Sequence, residues 1–293
     1  MKLKIYSIIT ITSLLFFSCN KSKEIKNDLQ NQNLYGNVKS ITEKTFFAVE
    51  KFGEIVKGDK YWYDFVSISE YDEWVFNSYV EFNNKGYIIK SFSIIKEEND
   101  YNDKNQLITK QYLSKDLKTA STETYKYDNK GYLIESNNNF SKDKTKYLND
   151  KDGNCIELNQ YDSIGNLFNK VKTNISYNKE GDRIEERKSY NDDGSFSSHL
   201  KTIFDKNGNE IESCYYDESG KIYQKINSKY NSKNLLIEYT EKQEYQKNVN
   251  EGWTKLIEHK YTKFDSNKNW TEKIEYKNGK PVEIIERKIV YYK

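Results

Sequence analysis

The chain has 293 residues, 47 Lys and Arg against 45 Asp and Glu, 15% aromatic residues and one proline. Disordered chains are poor in aromatics, so this composition excludes disorder. Charge is nearly balanced and no basic run is longer than two residues, which excludes nucleic acid as a partner, because neutralising phosphates takes clustered positive charge.

Residues 1–18 read as a cleaved lipoprotein signal. Lys2 and Lys4 precede a mostly apolar stretch of 13 residues, Ile5 to Phe17, followed by Ser18 and Cys19. The stretch is too short to span a bilayer and has the layout of an export signal. A cysteine directly after the small residue resembles the bacterial lipoprotein signal. That resemblance implies cleavage before Cys19, its diacylation, and a membrane anchor in the cell envelope, with the outer membrane as the expected location. Without Lys2 and Lys4, basic and acidic residues stand at 45 each. Residues 19–35 are polar and lack apolar periodicity, and they read as a tether; fully extended, such a segment reaches about 50 Å.

From Gly36 to Val80 the chain becomes aromatic-rich and alternating, as in "KYWYDFVSI", which predicts strands. Residues 36–80 therefore read as an N-terminal β cap, and 81–293 as a series of β-hairpin repeats. Turn units opened by an aromatic residue, or a substitute for one, start at 82, 101, 127, 149, 161, 177, 190, 204, 216, 230, 264 and 276. Every second start from 149 to 230 lies 28, 27 and 26 residues from the last, so the repeating object is a hairpin. The expected fold is all-β: an elongated, twisted antiparallel meander of repeated hairpins, open or partly curled into a shell. An unprotected terminal strand in such a sheet invites pairing with a second copy.

One turn is written over and over. In "YDNKG" (residues 127–131) Asp128 suits the first position of a type I turn, and Gly131 the left-handed fourth position that completes a bulged hairpin loop. Nine of the 13 glycines lie in such units, so glycine here signals turns and not a phosphate loop. Asn105 and Asn234 stand where Gly is expected, as the next best residue; Lys268 at the same place predicts strain or an altered loop. Eight residues after many starts comes Glu, at 135, 157, 185, 212, 238 and 272, usually preceded by Ile at 134, 156, 184, 211 and 237. Neighbours on a strand face opposite ways, which predicts a buried Ile face and a wet Glu face. Lys110, Lys170 and Lys225 are placed to form a Glu–Lys ladder, at about 0.2–1 kcal/mol per pair.

The repeated Tyr-Asp-x-x-Gly motif, as in "YDSIGN" at 161, "FDKNGN" at 204 and "YDESGK" at 216, resembles YD-repeat (Rhs-like) proteins. The start "LYGNVKSITEKTF" and the end "FDSNKNWTEKIEYKNGKPVEIIERKIVYY" look more specifically like YD-repeat lipoproteins from Bacteroidetes. The resemblance covers residues 34–292 and implies an antiparallel β-meander. It implies no activity and carries over no functional residue. A weaker similarity is to antitoxin-like proteins with short repeated hairpins.

Residues able to carry chemistry are sparse. His199 and His259, expected as exposed strand residues, have no second ligand at zinc spacing. No nucleophile elbow, HExxH or Walker-type loop occurs. The acidic turns "NDKDGN" and "DKNGNE" do not meet the EF-hand pattern. No metal, cofactor or catalytic residue is therefore assigned. Cys155 and Cys214 read as strand thiols, and spacing alone does not establish a bridge. The most distinctive group is aromatic: Tyr215, Tyr223, Tyr239, Tyr245, Trp253, Tyr261 and Trp270 recur on neighbouring predicted strands and form a candidate strip for stacking on sugars or gripping a protein. Three readings follow. The first is a lipid-anchored, non-enzymatic envelope protein with a binding or structural surface. The second is an envelope glycan hydrolase using paired carboxylates, and the third is a toxin-immunity protein.

Overall fold

A computed structural model describes residues 26–60, 77–92, 95–113, 119–244 and 252–293. Cys19 and the signal segment lie outside them, as do Tyr245 and part of the expected cap. A short helix α1 (Asp28–Asn31) is followed by β1 (Val38–Lys51), β2 (Glu54–Lys60), β3 (Asn77–Phe82), β4 (Ile88–Phe92), β5 (Lys96–Tyr101) and β6 (Leu107–Leu113). Next come β7 (Thr119–Tyr127), β8 (Leu133–Asn138), β9 (Lys144–Asn149), β10 (Cys155–Tyr161), β11 (Leu167–Tyr177), β12 (Arg183–Asn191) and β13 (Phe196–Phe204). The series ends with β14 (Glu210–Tyr216), β15 (Ile222–Tyr230), β16 (Leu236–Gln243), β17 (Trp253–Phe264), β18 (Trp270–Lys277) and β19 (Lys280–Tyr291).

The meander closes. Each strand from β3 to β19 pairs antiparallel with the next, and β1 pairs with both β19 and β3, giving an 18-strand barrel. The expected terminal edge is absent because the first and last strands complete each other, and closure is what removes edges from a sheet. β1 is thus a stave of the barrel and not a separate cap, and β2 pairs with its far half.

The turns form as the motif demands. In the β7–β8 turn the Gly131 amide donates to the Asp128 carbonyl at 3.1 Å, and Asp128 Oδ1 accepts from the amides of Lys130 at 2.9 Å and Tyr132 at 2.8 Å. Gly131 takes φ +91, and Lys268, at the position expected to be strained, takes φ +70. Just beyond most turns the register slips by one. Tyr127 pairs with Leu133 but Lys126 pairs with Glu135, leaving Ile134 as the extra residue of a β-bulge. The same slip falls at Ile156, Ile211 and Ile237. This corrects the expected buried Ile face: Ile134 is 40% exposed, because a bulge residue has no partner and is not held in the pleat. Bulges add local twist and bend, which turns a long meander into a closed one.

Residues paired across a ladder share a face. Following the register from buried Ile41 through Val80, Ser91 and Glu97 around the ring returns to Ile289 and Ile41, so one face is inside throughout. It carries most of the strand tyrosines, with buried Glu185, Glu241, Thr202 and Ser213 among them. The other face carries the Glu–Lys ladder: Lys126–Glu135 at 2.7 Å, Lys170–Glu157 at 3.0 Å, Lys225–Glu212 at 2.7 Å and Lys229–Glu238 at 2.8 Å.

Tyrosine hydroxyls lock hairpin to hairpin. Tyr101 donates to the Ile88 carbonyl at 2.8 Å, Tyr127 to Leu107 at 2.8 Å, Tyr230 to Glu210 at 3.2 Å and Tyr261 to Leu236 at 2.9 Å. Each acceptor opens a strand just after a turn. Leu107, for example, lies beyond the last rung of the β6–β7 ladder, Thr109 to Thr124, and its carbonyl needs another donor. Tyr127→Phe is expected to lower stability by about 1 kcal/mol. Tyr177→Phe, at an exposed turn position, is expected to change it by less than about 0.5 kcal/mol. Urea unfolding of the two variants checks the difference.

Residues 26–35, expected as tether, fold back over one end of the barrel. Asn27 caps α1, and Leu29 and Leu34 pack on Val38, Ile41 and Phe82. The Leu29 amide donates to Gly86, Asn27 Nδ2 to the Lys85 carbonyl at 2.8 Å and Lys26 Nζ to the Asn207 carbonyl at 3.1 Å. The turns holding Lys85 and Asn207 lie on nearly opposite sides of the ring. An evenly open ring of 18 strands would be roughly 27 Å across before tilt, yet here adjacent residues reach both sides. The barrel is narrower at this end than such a ring, and residues 26–35 cross it.

Candidate binding wall inside the barrel

The inner face of β14–β19 gathers the residues with the most chemistry. Tyr215 on β14, Tyr239 on β16, Trp253 and Tyr261 on β17 and Trp270 on β18 share the inward face by register. Tyr223 is a bulge residue of β15 whose ring centroid lies 6.2 Å from that of Tyr215. Tyr261 and Trp270 are 5.6 Å apart. Of the described members of the candidate strip, Tyr215, Tyr223 and Tyr239 lie toward β14, Tyr261 and Trp270 lie toward β19, and Trp253, at the start of β17, stands apart from both.

Charged groups that the sequence reading did not single out surround both. Near the first group, Gln224 Nε2 donates to Glu241 Oε1 at 2.6 Å, and Tyr239 donates to the other oxygen at 3.5 Å. Beside the second, the Arg287 guanidinium stacks 3.5 Å from the Trp270 ring centroid and donates to Glu43 Oε1 at 2.6 Å. Ser78 Oγ donates to the second Glu43 oxygen at 3.0 Å. Lys273 Nζ stands 5.4 Å from the same indole, and burial pushes its ammonium below the usual lysine range.

His259, expected to be exposed, is largely covered instead, with Nε2 3.1 Å from Glu275 Oε2 and Nδ1 3.2 Å from the Leu236 carbonyl. The reason is register: His259 pairs with Glu275 on the inward face. His199 is likewise largely covered, 2.8 Å from Glu186 Oε1 and stacked on Tyr216. Glu275 in turn faces Glu283 across β18 and β19. Burial works to raise both carboxyls. At Glu275 the bond from His259 and the nearby cations outweigh it and hold the group below the usual range. At Glu283 burial, joined by the charge of Glu275, pushes the carboxyl up to about 7.

Tyrosine protons are also held tightly, with Tyr127 and Tyr261 pushed up to about 12 by burial. These phenols stay neutral donors at physiological pH. The wall combines aromatic faces, neutral hydroxyls and both signs of charge, suited to a polar ligand with exposed C–H faces. Among the described residues no group of three or more His, Cys, Asp or Glu forms a metal site. Cys155 and Cys214 are free thiols, on β10 and β14.

No family model matches the chain, and no curated protein does. Among solved structures it is similar to a porin-like protein from Bacteroides uniformis, with 12% identity over 86% of this chain and 96% of that one and a TM-score of 0.37. It is also similar to a chain of the TcdB2-TccC3-Cdc42 structure, with 13% identity over 68% of this chain and a TM-score of 0.29. A chain of the Photorhabdus luminescens Tc holotoxin pore gives 13% identity over 68% of this chain and a TM-score of 0.28. Of the two toxin chains, the match spans 12% of the length.

Proposed function

We propose that this chain is a lipid-anchored, non-enzymatic protein of the cell envelope, held to a membrane through Cys19, whose barrel stands in water and binds a glycan or protein through its inner wall. The observation that carries the reading is the outward Glu–Lys ladder. A barrel that spans a bilayer needs an outward apolar band about 25 Å tall, whereas here Lys126, Lys170, Lys225 and Lys229 occupy the outward face with their carboxylate partners. Such a barrel does not span the bilayer and is attached to it from outside the strands. Cells fed a labelled fatty acid are expected to label the wild type and not the Cys19→Ala variant, and a wild type that takes up no label would sink the reading. Protease treatment of intact cells then separates a surface location, where the wild type is digested, from a periplasmic one, where it is protected.

A second reading is favoured by one observation, the pairing of Glu275 with a near-neutral Glu283. An acid with a raised pKa next to a second carboxylate is the arrangement that hydrolyses glycosides. On this reading the wild type hydrolyses envelope glycans and Glu283→Gln does not; an inactive wild type removes it.

A further inference from the structure

The described turns at the end of the barrel opposite α1 are of two kinds. The β12–β13 and β14–β15 turns carry Asp192, Asp193 and Glu218, and the β18–β19 turn is Asn278–Gly279. On the other half of the ring, turns lift large apolar side chains into solvent: Phe52 between β1 and β2, Ile95 before β5, Phe140 between β8 and β9, and Ile164 between β10 and β11. Phe52 is fully exposed, Phe140 is 79% exposed and Ile164 81% exposed.

Phe52 is the most telling. Phe52 and Gly53 take φ +54 and +83, a two-residue turn that calls for Asn-Gly. A bulky side chain in the left-handed region is strained. The same chain uses Asn-Gly for the β18–β19 turn, at φ +51 and +76. Turn geometry therefore does not account for Phe52, and since its ring is fully exposed, packing does not either. Strain without an internal return marks a functional position.

We propose that this end of the barrel docks on a lipid bilayer, with Phe52, Ile95, Phe140 and Ile164 entering the headgroup region. Spacing favours a bilayer over a folded protein. Tips of successive hairpins on one rim are about 10 Å apart, and these four are spread over half the ring with polar backbone between them. A protein partner needs one contiguous apolar core to its interface, whereas a fluid interface receives separate side chains independently.

The test uses the chain from Asn20 onward, which contains α1 and every strand but neither the signal nor Cys19, so that no lipid anchor contributes. It is sedimented with vesicles of phosphatidylcholine and phosphatidylglycerol beside a Phe52→Asn/Phe140→Ser double variant. Asn restores the preferred turn residue at position 52, so the variant is not expected to lose its fold, which circular dichroism checks. Wild-type partitioning is expected to exceed that of the variant roughly tenfold for each phenyl group removed. Equal partitioning of the two would overturn the proposal. Absence of wild-type binding would overturn it too, in favour of a protein partner.

Discussion

Glu185→Ala is expected to lower the unfolding free energy by about 3 kcal/mol, while Glu212→Ala, one repeat on and at the same place in the motif, costs less than about 1 kcal/mol. The two glutamates differ in face. After the turn at residues 205–209 a bulge at Ile211 places Glu212 outward, where it meets half-buried Lys225 at 2.7 Å. After the turn at residues 178–182 the register runs on without a slip, from Tyr177–Arg183 to Ile175–Glu185. That single missing bulge turns Glu185 inward. It is 3% exposed and is held between Arg183 and Arg187, with Arg187 Nη2 at 2.6 Å from Oε2. Removing it leaves two guanidinium groups against the wall without their shared carboxylate. Urea unfolding of both variants reads the contrast, and equal losses would show that the inward pair is as well solvated as the outward one.

Stability is expected to fall as pH rises from about 4.5 to about 7, through the titration of Glu283. Its folded-state pKa, about 7, lies above its ordinary value of 4.5. In that window the folded chain keeps a proton that the unfolded chain has released, so each step up in pH favours unfolding. Glu283→Gln removes the charge and with it the dependence. The variant is expected to be more stable than wild type at pH 8 by on the order of 1–2 kcal/mol, after allowing for partial access of water to the carboxyl. Below pH 4.5 both side chains are neutral and the two proteins should unfold together. Denaturation curves at pH 4 and 8 decide it: a variant less stable than wild type at pH 8 would mean that the ionised carboxylate has a partner in the fold.

The hairpin rhythm was legible in the sequence because a turn is local chemistry. Asp128 and Gly131 sit three residues apart, and the bonds they make lie within the same five residues. The bulges were not legible. Nothing in "YLIESN" distinguishes Ile134, which bulges, from Ile184, which does not, since the slip is settled by the strand on the far side. The facing of Glu275 and Glu283 was hidden for the same reason: a regular ladder from the Asn278–Gly279 turn would set Val282 opposite Glu275, but the register shifts beside Pro281. Closure was the least accessible feature, because it rests on β1 meeting a strand more than 200 residues away, with no local signature. Of the inner wall, the tyrosines of the candidate strip were visible as a recurrence. Arg287, Lys273 and Glu43 were not, since in sequence they are ordinary strand charges among many.

The seam between β1 and β19 also sets the order in which this protein can become itself. Val38 finds Tyr291 as its ladder partner, so the ring cannot shut until nearly the whole chain is available. Until then one flank of β1 and one flank of the newest hairpin stay open, each offering unpaired backbone groups to whatever strand comes near. Contacts so distant along the chain form slowly, while each hairpin can zip on its own as it emerges. Folding should therefore run as a quick series of local additions followed by one late joining step, and the half-made sheet is the species most in need of a chaperone.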